Sequence, residues 1–416
     1  MSGALSPPSP RLTAWAELLR VSALASVPGD ALAGAAAAGR RPGRGTAWAV
    51  GASLCLYEAG MALNDWADRD VDAVERPHRP LPSGRIAPAA ALGAAGALTG
   101  AGLALASRAG RPALAVAGGL AATVWAYDLH LKHTPAGPAA MAAARGLDVL
   151  LGAVATPPLA PAPTTAARTS GVTLANAPQH VRATATETLR CEKPRPSTCH
   201  ATAVPLRAPT APPTAGPEAG GRHTMAALRA VAPAAAALAA HTYAVTAVSR
   251  HEAHGGSTAV PLTALAMTTA LGVLTAWSQP VRTPDRDAAP PLLSRPGRPG
   301  GQRTRTVPAP SARPVGEPPR AVPRYSAAIH RLERAAAPSA TGLLAGAYLR
   351  TAARPLLHAA LNPSPYLTRR AVGGGIRAMI PLQAALAARS GAPVAGLAVL
   401  GLAPVARRLA RKVSPT

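Results

Sequence analysis

The residues best suited to chemistry lie in one acidic stretch that follows an apolar run from 47 to 63. On a helix, Asn64, Asp68 and Asp72 share one face because they are four residues apart, and Asp65 lies beside them. Clustered carboxylates repel one another unless a cation lies among them. Hard oxygen donors of this kind suit Mg²⁺, which completes its shell with water and phosphate oxygens. The sequence therefore predicts a Mg²⁺ site formed by Asn64, Asp65, Asp68 and Asp72.

A basic, proline-rich segment follows the acids directly. Arg76, Arg79 and Arg85 alternate with prolines at 77, 80 and 82. Guanidinium groups on a stiff backbone are well placed to bind the phosphate that a bound Mg²⁺ would share. The alternative is a solvated acidic helix end with no ligand.

The whole segment from 64 to 84 reads NDxxDxxxDxxxRPxRPLPSG. It resembles, position by position, the Asp-rich motif of the UbiA superfamily of intramembrane prenyltransferases. The resemblance implies an all-α membrane bundle, an isoprenyl diphosphate substrate and Mg²⁺ as cofactor. It implies catalytic roles for Asp68 and Asp72, and substrate binding by Asn64, Arg76 and Arg79.

Two later segments extend the resemblance. Tyr127 and Lys132, at the end of an apolar run, match the family pattern, which implies substrate binding by Tyr127 and a catalytic point charge at Lys132. Lys132 is alternatively an ordinary interfacial lysine. The string RGLDVLLGA resembles the fifth helix of the family, where Arg145 either binds substrate or is the structural partner of Asp148.

The segment from 241 to 256, HTYAVTAVSRHEAHGG, departs from the family pattern. The family carries a second acidic motif, DxxxDxxxG, in this loop. Aligning its glycine with Gly256 puts Glu252 at the second acidic position and Val248 at the first. The segment resembles a divergent, EboC-like branch. Glu252 is a catalytic candidate, either as ligand of a second Mg²⁺ or as a base. The spacing of His251 and His254 is one residue short of the zinc motif HExxH.

Composition favours a membrane protein over a nucleic-acid-binding one. Of the 416 residues, 48% are hydrophobic and only 15% are charged, and there is no phenylalanine. The net charge is +25, but the basic residues lie in proline-rich segments and between apolar runs, with almost no aromatic residues among them. We therefore expect no nucleic-acid partner and an attraction to anionic membrane lipid. Cys55 is expected in the core, and Cys191 and Cys199 form no CxxC pattern.

Apolar runs predict about nine transmembrane helices in a UbiA-like bundle, with two disordered inserts. The expected divisions are 1–155 (membrane helices with the first motif), 156–224 (Pro/Thr-rich insert), 225–277 (membrane helices with the degenerate second motif), 278–325 (Pro/Arg-rich insert) and 326–416 (C-terminal helices). The first span, 14–39, is expected to break at Pro28-Gly29-Asp30, with Arg20 and Asp30 facing inward. The inserts are alternatively the product of a wrong reading frame in a GC-rich gene.

The resemblance implies an integral membrane prenyltransferase that transfers an isoprenyl group from an allylic diphosphate to an aromatic or other acceptor. Quinone biosynthesis is the commonest role in the family. Basic residues near the motif predict an active site facing the cytoplasm, in the plasma membrane. Two alternatives remain open. One is a UbiA-like protein that binds or transports a lipid-linked or secondary-metabolite precursor without catalysis, and the other is a gene product inactivated by its inserts.

Overall fold

The structure, a computed structural model, describes residues 9–155, 217–252, 255–277 and 322–404, and all regular elements in these ranges are helical. The prediction of an all-α protein is confirmed for this part of the chain. The twelve α-helices are α1 (Pro10–Leu18), α2 (Val27–Ala37), α3 (Arg44–Ala67), α4 (Arg69–Glu75), α5 (Pro88–Ala109), α6 (Arg111–Ala126), α7 (Gly137–Ala155), α8 (Pro217–Ser249), α9 (Ala259–Trp277), α10 (Val322–Leu361), α11 (Pro365–Arg389) and α12 (Pro393–Leu400).

Six stretches within the described ranges are long and apolar enough to cross a bilayer. They are Pro88–Ala109, Arg111–Leu131, Gly137–Ala155, Leu228–Ser249, Ala259–Trp277 and Pro365–Arg389. Each has 19 to 25 residues, which matches a hydrocarbon core of about 30 Å at 1.5 Å per residue. This is the pattern of an integral membrane protein. The predicted number of nine spans is not confirmed.

Small residues let α2 and α7 pack closely in the bundle interior. On α2, a Cβ added to Gly34 would lie 1.9 Å from the Val149 carbonyl oxygen of α7. On α7, a Cβ added to Gly152 would lie 2.3 Å from Ala31 of α2. Glycines and alanines at such crossings bring helix backbones together without bulky side chains. The α2–α7 contact therefore fixes the two helices that carry the polar residues of the bundle interior.

The first predicted span breaks at a different place from the one expected. Helix α1 ends at Leu18, Arg20 has a left-handed backbone (φ 48°), and a 3-10 turn at Val21–Ser26 leads into α2. Pro28 lies in the first turn of α2, where its missing N–H costs no hydrogen bond. The break at Pro28-Gly29-Asp30 was therefore predicted at the wrong residues.

A buried histidine joins the three long helices of the C-terminal half. Nε2 of His241, on α8, lies 3.0 Å from the carbonyl oxygen of Gly375 on α11, so this nitrogen donates. Nδ1 lies 3.0 Å from the hydroxyl of Tyr348 on α10, which donates to it. All polar atoms of the ring are paired, so we assign it a structural role.

Several predictions fall outside or across the described ranges. Cys191, Cys199 and nearly all of both predicted inserts lie outside them. Helix α8 begins at Pro217, before the predicted boundary at 225, and α10 begins at Val322, inside the predicted second insert.

Candidate active site

Four segments meet at one end of the bundle and bring the predicted motif residues together. They are the α3–α4 corner, the loop from 76 to 87, the π-helical turn Tyr127–Leu131 with the loop after it, and the loop after α8. The helix is interrupted at Asp68 (φ −90°, ψ 2°), but the Asp68 amide still donates to Asn64, and the Asp72 amide to Asp68. The motif residues therefore keep the helical spacing that the sequence predicts.

One arginine lies between two of the motif carboxylates. A single guanidinium nitrogen of Arg79 lies 2.7 Å from Asp72 Oδ2 and 3.4 Å from Asp65 Oδ1. Arg20 lies 3.1 Å from the same oxygen of Asp65, and Arg76 lies 3.5 Å from Asp72 Oδ1. Both carboxylates are buried, so these cations offset the desolvation cost of their charges. The arrangement is a compact set of anions and cations, as diphosphate binding with a metal requires.

Lys132 reaches the same end of the bundle from the loop after α6. Its ammonium nitrogen lies 2.5 Å from Asp68 Oδ1 and its side chain is only 9% exposed. The nitrogen makes no well-directed hydrogen bond to any acceptor in the described residues. Lys132 therefore pairs with Asp68 at this end of the bundle.

A cavity of about 210 Å³ lies directly below these charges, between α3, α6 and α7. One face of α3 lines it with residues at helical spacing: Ser53, Leu56, Tyr57, Gly60, Met61 and Asn64. Asn64 and Tyr127 are at the charged end, and the middle is apolar. From Ser53 to Asn64 the helix rises about 16 Å. The cavity thus connects the charged mouth with the bundle interior.

The deep end of the cavity is polar. Arg145 of α7 lines it and forms a buried ion pair with Asp30 of α2. Asp148 accepts a hydrogen bond of 2.7 Å from Ser53, while its other carboxylate oxygen has no hydrogen-bond partner among the described residues. Gln383, from α11, donates to Asp30 at 2.8 Å. The partner of Arg145 is therefore Asp30, with Asp148 as a further neighbour.

Glu252 lies in the loop after α8. Burial raises the pKa of its carboxyl, and the positive charges of Arg369 and Arg76 act in the opposite direction. Arg76 thus lies close enough to influence Glu252 while it also pairs with Asp72. In the same loop, Arg250 donates to the Thr134 carbonyl oxygen at 2.5 Å, so the loop is tied to the one that carries Lys132. Arg76 therefore links the environment of Glu252 with that of Asp72.

Part of the chain matches a known protein family. Residues 27–190 match the UbiA prenyltransferase family. This part of the chain is a UbiA-family domain. It contains α2 to α7, and therefore every motif residue from Asn64 to Arg145, while its last part, 156–190, lies outside the described residues.

Similar proteins of known name match over part of their length. A digeranylgeranylglyceryl phosphate synthase from Methanothrix thermoacetophila is 41% identical over 108 residues, which cover 26% of this chain and 40% of that protein. One from Methanopyrus kandleri is 35% identical over 129 residues, which cover 30% of this chain and 46% of that protein. The bacteriochlorophyll synthase 33 kDa chain of Rhodobacter capsulatus is 69% identical over 26 residues, 6% of this chain and 9% of that protein. The chain thus matches less than half the length of these relatives.

Two solved structures show a weaker similarity over most of the chain. One, described as digeranylgeranylglyceryl phosphate synthase in membranes, has a TM-score of 0.46 at 13% identity and covers 92% of this chain and 99% of that one. A UbiA homologue from Aeropyrum pernix has a TM-score of 0.45 at 15% identity, and the match covers 87% of this chain and 96% of that one.

The donor set of the UbiA-family domain fits a hard divalent cation by its chemistry. The side chains of Asn64, Asp65, Asp68 and Asp72 offer only oxygen ligands at one mouth, as Mg²⁺ prefers. In this structure the carboxylates pair with arginine and lysine, and no three acidic, histidine or cysteine side chains within the described ranges are grouped as metal ligands. Arg79, between Asp65 and Asp72, stands where a cation is needed.

Three polar residues of the site were not predicted as site residues from the sequence. Arg20 was expected only to face inward, yet it pairs with Asp65 and lines the cavity. Asp128 and Ser53 also line the cavity. Two signals could have indicated them. Asp128 is an acid four residues before Lys132, and Ser53 shares the helical face of Tyr57, Gly60 and Asn64.

Proposed function

We propose that the protein is an integral membrane prenyltransferase that transfers an isoprenyl group from an allylic diphosphate to an acceptor. The observation that carries the proposal is the cluster of Asp65, Asp68 and Asp72 with Arg79 and Lys132 at the mouth of an apolar cavity. A diphosphate needs the charges, and its isoprenyl tail needs the apolar walls. Ion pairs that served only to hold helices together would not need a cavity next to them.

The chain's own residues account for binding of the diphosphate. Lys132 and Arg79 stabilise its oxygens, with Arg76 and Arg20 close by. Asn64 and Tyr127 line the cavity where the diphosphate meets the tail. The apolar middle of the cavity excludes water that would otherwise quench an allylic cation.

In the proposed reaction the allylic C–O bond breaks and the diphosphate leaves with the bonding electron pair. A lone pair or π-electron pair of the acceptor then forms the new bond to the allylic carbon, and the acceptor loses a proton. Cations held at the mouth stabilise the charge that develops on the leaving group. Glu252, whose carboxyl is influenced by the charge of Arg76, is the candidate base or further cation ligand.

We propose Mg²⁺ as the cofactor. Asn64, Asp65, Asp68 and Asp72 would hold it, and when bound it would neutralise the diphosphate as a Lewis acid. Binding requires the side chains of Arg79 and Lys132 to move from the carboxylates to the diphosphate oxygens. Such an exchange of partners keeps all charges paired.

The acceptor must approach the allylic carbon, which lies next to the diphosphate at the charged mouth of the cavity, because the new bond forms at that carbon. Relatives named for a glyceryl phosphate product make a hydroxyl-bearing glyceryl phosphate lipid the first acceptor to test. An aromatic acceptor of the quinone pathway, predicted from the family, is the second. The predicted plasma-membrane location and cytoplasmic active site remain part of the proposal.

One observation favours a second candidate, a UbiA-like protein that binds or transports a precursor without catalysis. Val248 stands where the family pattern has the first acid of the second motif, and the first-motif acids are paired with basic side chains. In this alternative the same mouth holds a diphosphate that is never consumed.

The test is a prenyl-transfer assay in membranes containing the full chain. Labelled geranyl, farnesyl and geranylgeranyl diphosphates are supplied with a glyceryl phosphate lipid or an aromatic acid, with and without Mg²⁺. The proposal expects a Mg²⁺-dependent labelled lipid that is absent in Asp68→Ala and retained in Asp70→Ala, because Asp70 is 83% exposed. Diphosphate that binds but is not consumed would support the second candidate. Product formed equally by Asp68→Ala would overturn the proposed role of the motif.

A further inference from the structure

A second polar groove lies at the opposite end of the helices that carry the motif. It has a volume of about 480 Å³ and is lined by Arg44, Gly45, Trp48, Arg108, Ala109, Val154 and Ala155, and we call it the basic groove. Helix α3 begins at Arg44 and reaches Asp65 after a rise of about 30 Å. Helix α5 runs the other way, from the loop that carries Arg79 to Arg108. The basic groove therefore lies about one hydrocarbon thickness from the motif, at the other membrane interface.

The charged residues that line the basic groove are all positive. Arg44 and Arg108 are exposed, and neither forms an ion pair with a residue that the structure describes. No Asp or Glu occurs in the segments 38–52, 101–118 or 149–155 that surround it. Two more arginines flank the groove closely: Arg40 donates to the Ala153 carbonyl oxygen at 2.9 Å, and Arg111 follows Ala109 and Gly110. Like charges repel, so this groove gains from an anionic ligand.

The other walls of the basic groove are those of a membrane interface. Trp48 is half-buried, and Trp is enriched where the headgroups meet the acyl chains. Val154, Ala155 and Ala109 are the terminal apolar residues of α7 and α5, so the groove has an apolar wall where these helices end. A soluble phosphate would use the arginines alone, whereas a phospholipid would use the arginines and the apolar wall together.

We propose that the basic groove binds the phosphate headgroup of an anionic glycerophospholipid of the leaflet opposite the motif. Arg44 and Arg108 hold the phosphate, and Trp48 packs against the glycerol backbone or the first methylene groups. Basic pockets between transmembrane helices bind anionic headgroups in this way. The site is independent of the proposed catalysis because it contains none of the residues of the motif or of the cavity.

The experiment measures lipid retention by the purified full chain. The protein is reconstituted in nanodiscs or micelles that contain equal amounts of phosphatidylglycerol and phosphatidylcholine with the same acyl chains, and the lipids that remain bound are counted by native mass spectrometry. Wild type is compared with Arg44→Gln/Arg108→Gln and with Arg44→Lys/Arg108→Lys. The matched control is Arg350→Gln/Arg354→Gln, which removes the same charge from two exposed arginines of α10.

We expect wild type to retain phosphatidylglycerol over phosphatidylcholine. The Arg44→Gln/Arg108→Gln variant should lose this preference by about five-fold per arginine, while the Lys variant and the control should keep most of it. Equal losses in the groove variant and in the α10 control would show a general charge effect and overturn the site. Displacement of the bound lipid by millimolar inorganic phosphate, without loss of protein stability, would identify a site for soluble phosphate and also overturn the proposal. A variant that elutes as aggregate is replaced by the single substitution Arg108→Gln, to which the same criteria apply.

Discussion

The ammonium of Lys132 and the carboxylate of Asp68 lie 2.5 Å apart, although α5 and α6 separate the two residues in the sequence. Asp68 interrupts the helix after α3, and Lys132 follows the π-helical turn at the end of α6. The pair joins the acidic motif to the second predicted diphosphate contact.

This pair leads to a prediction about the leaving group. Removing the charge in Lys132→Ala should lower kcat/KM for the allylic diphosphate by about 10²–10³, the range typical for one lost stabiliser of developing negative charge. His133, 3.7 Å from Asp68 but 78% exposed, provides the control. His133→Ala should change kcat/KM by less than about three-fold. Steady-state transfer assays in membranes measure both, and equal effects of the two substitutions would contradict the assignment to Lys132.

Breaking the buried ion pair of Arg145 with Asp30 should destabilise the protein strongly. Removal of one partner leaves the other charge buried without compensation, so Asp30→Asn or Arg145→Gln should each lower the free energy of unfolding by about 3 kcal/mol or more. The double variant should be less destabilised than the sum of the two. Denaturation of purified protein in detergent measures these changes.

An exposed ion pair provides the matched control for that experiment. Arg85 lies 2.7 Å from Glu17, and both side chains are more than one third exposed. Arg85→Gln should change the free energy of unfolding by less than about 1 kcal/mol because water screens the pair. If Arg145→Gln had an effect as small as that of Arg85→Gln, the cavity floor would not be the tightly paired site seen in the structure.

The cavity should set the length of the isoprenyl chain that the protein accepts. Ala144 lines the cavity on α7, and its neighbour Ala143 is exposed on the outer side of the same helix. Ala144→Leu should reduce the use of geranylgeranyl diphosphate about ten-fold more than that of geranyl diphosphate, because added methylenes occupy the tail's space. Ala143→Leu should leave the ratio unchanged. A competition assay with both diphosphates gives the ratio directly, and an unchanged ratio in Ala144→Leu would remove the cavity as the tail site.

The pH dependence of transfer should report the state of Glu252. Burial raises the pKa of this carboxyl, so the carboxyl stays protonated up to a higher pH than an ordinary Glu, whose pKa is about 4.3. If its carboxylate form is the base, kcat/KM should fall as the pH is lowered through a value above 4.3. In Glu252→Gln the rate should be low at all pH values and this limb should be absent. Persistence of the same acid limb in Glu252→Gln would assign it to another group.

The sequence by itself determined the parts that depend on local pattern. Apolar runs of membrane length predicted several transmembrane helices, because the bilayer sets the length and hydropathy that a spanning helix needs. The four-residue spacing of Asn64, Asp68 and Asp72 already predicted a shared face, which the helical hydrogen bonds between them preserve. The proline-rich tail with Arg76 and Arg79 pointed to the same mouth.

Only the tertiary structure decided which residues meet across the bundle. Arg145 could pair with Asp148 on its own helix or with Asp30, far away in the chain, and the close crossing of α2 and α7 at Gly34 and Gly152 makes Asp30 the partner. The break at Arg20, which brings that side chain to Asp65, likewise has no proline or glycine signal. Local spacing cannot specify such pairs, because their energy comes from packing between helices that are distant in sequence.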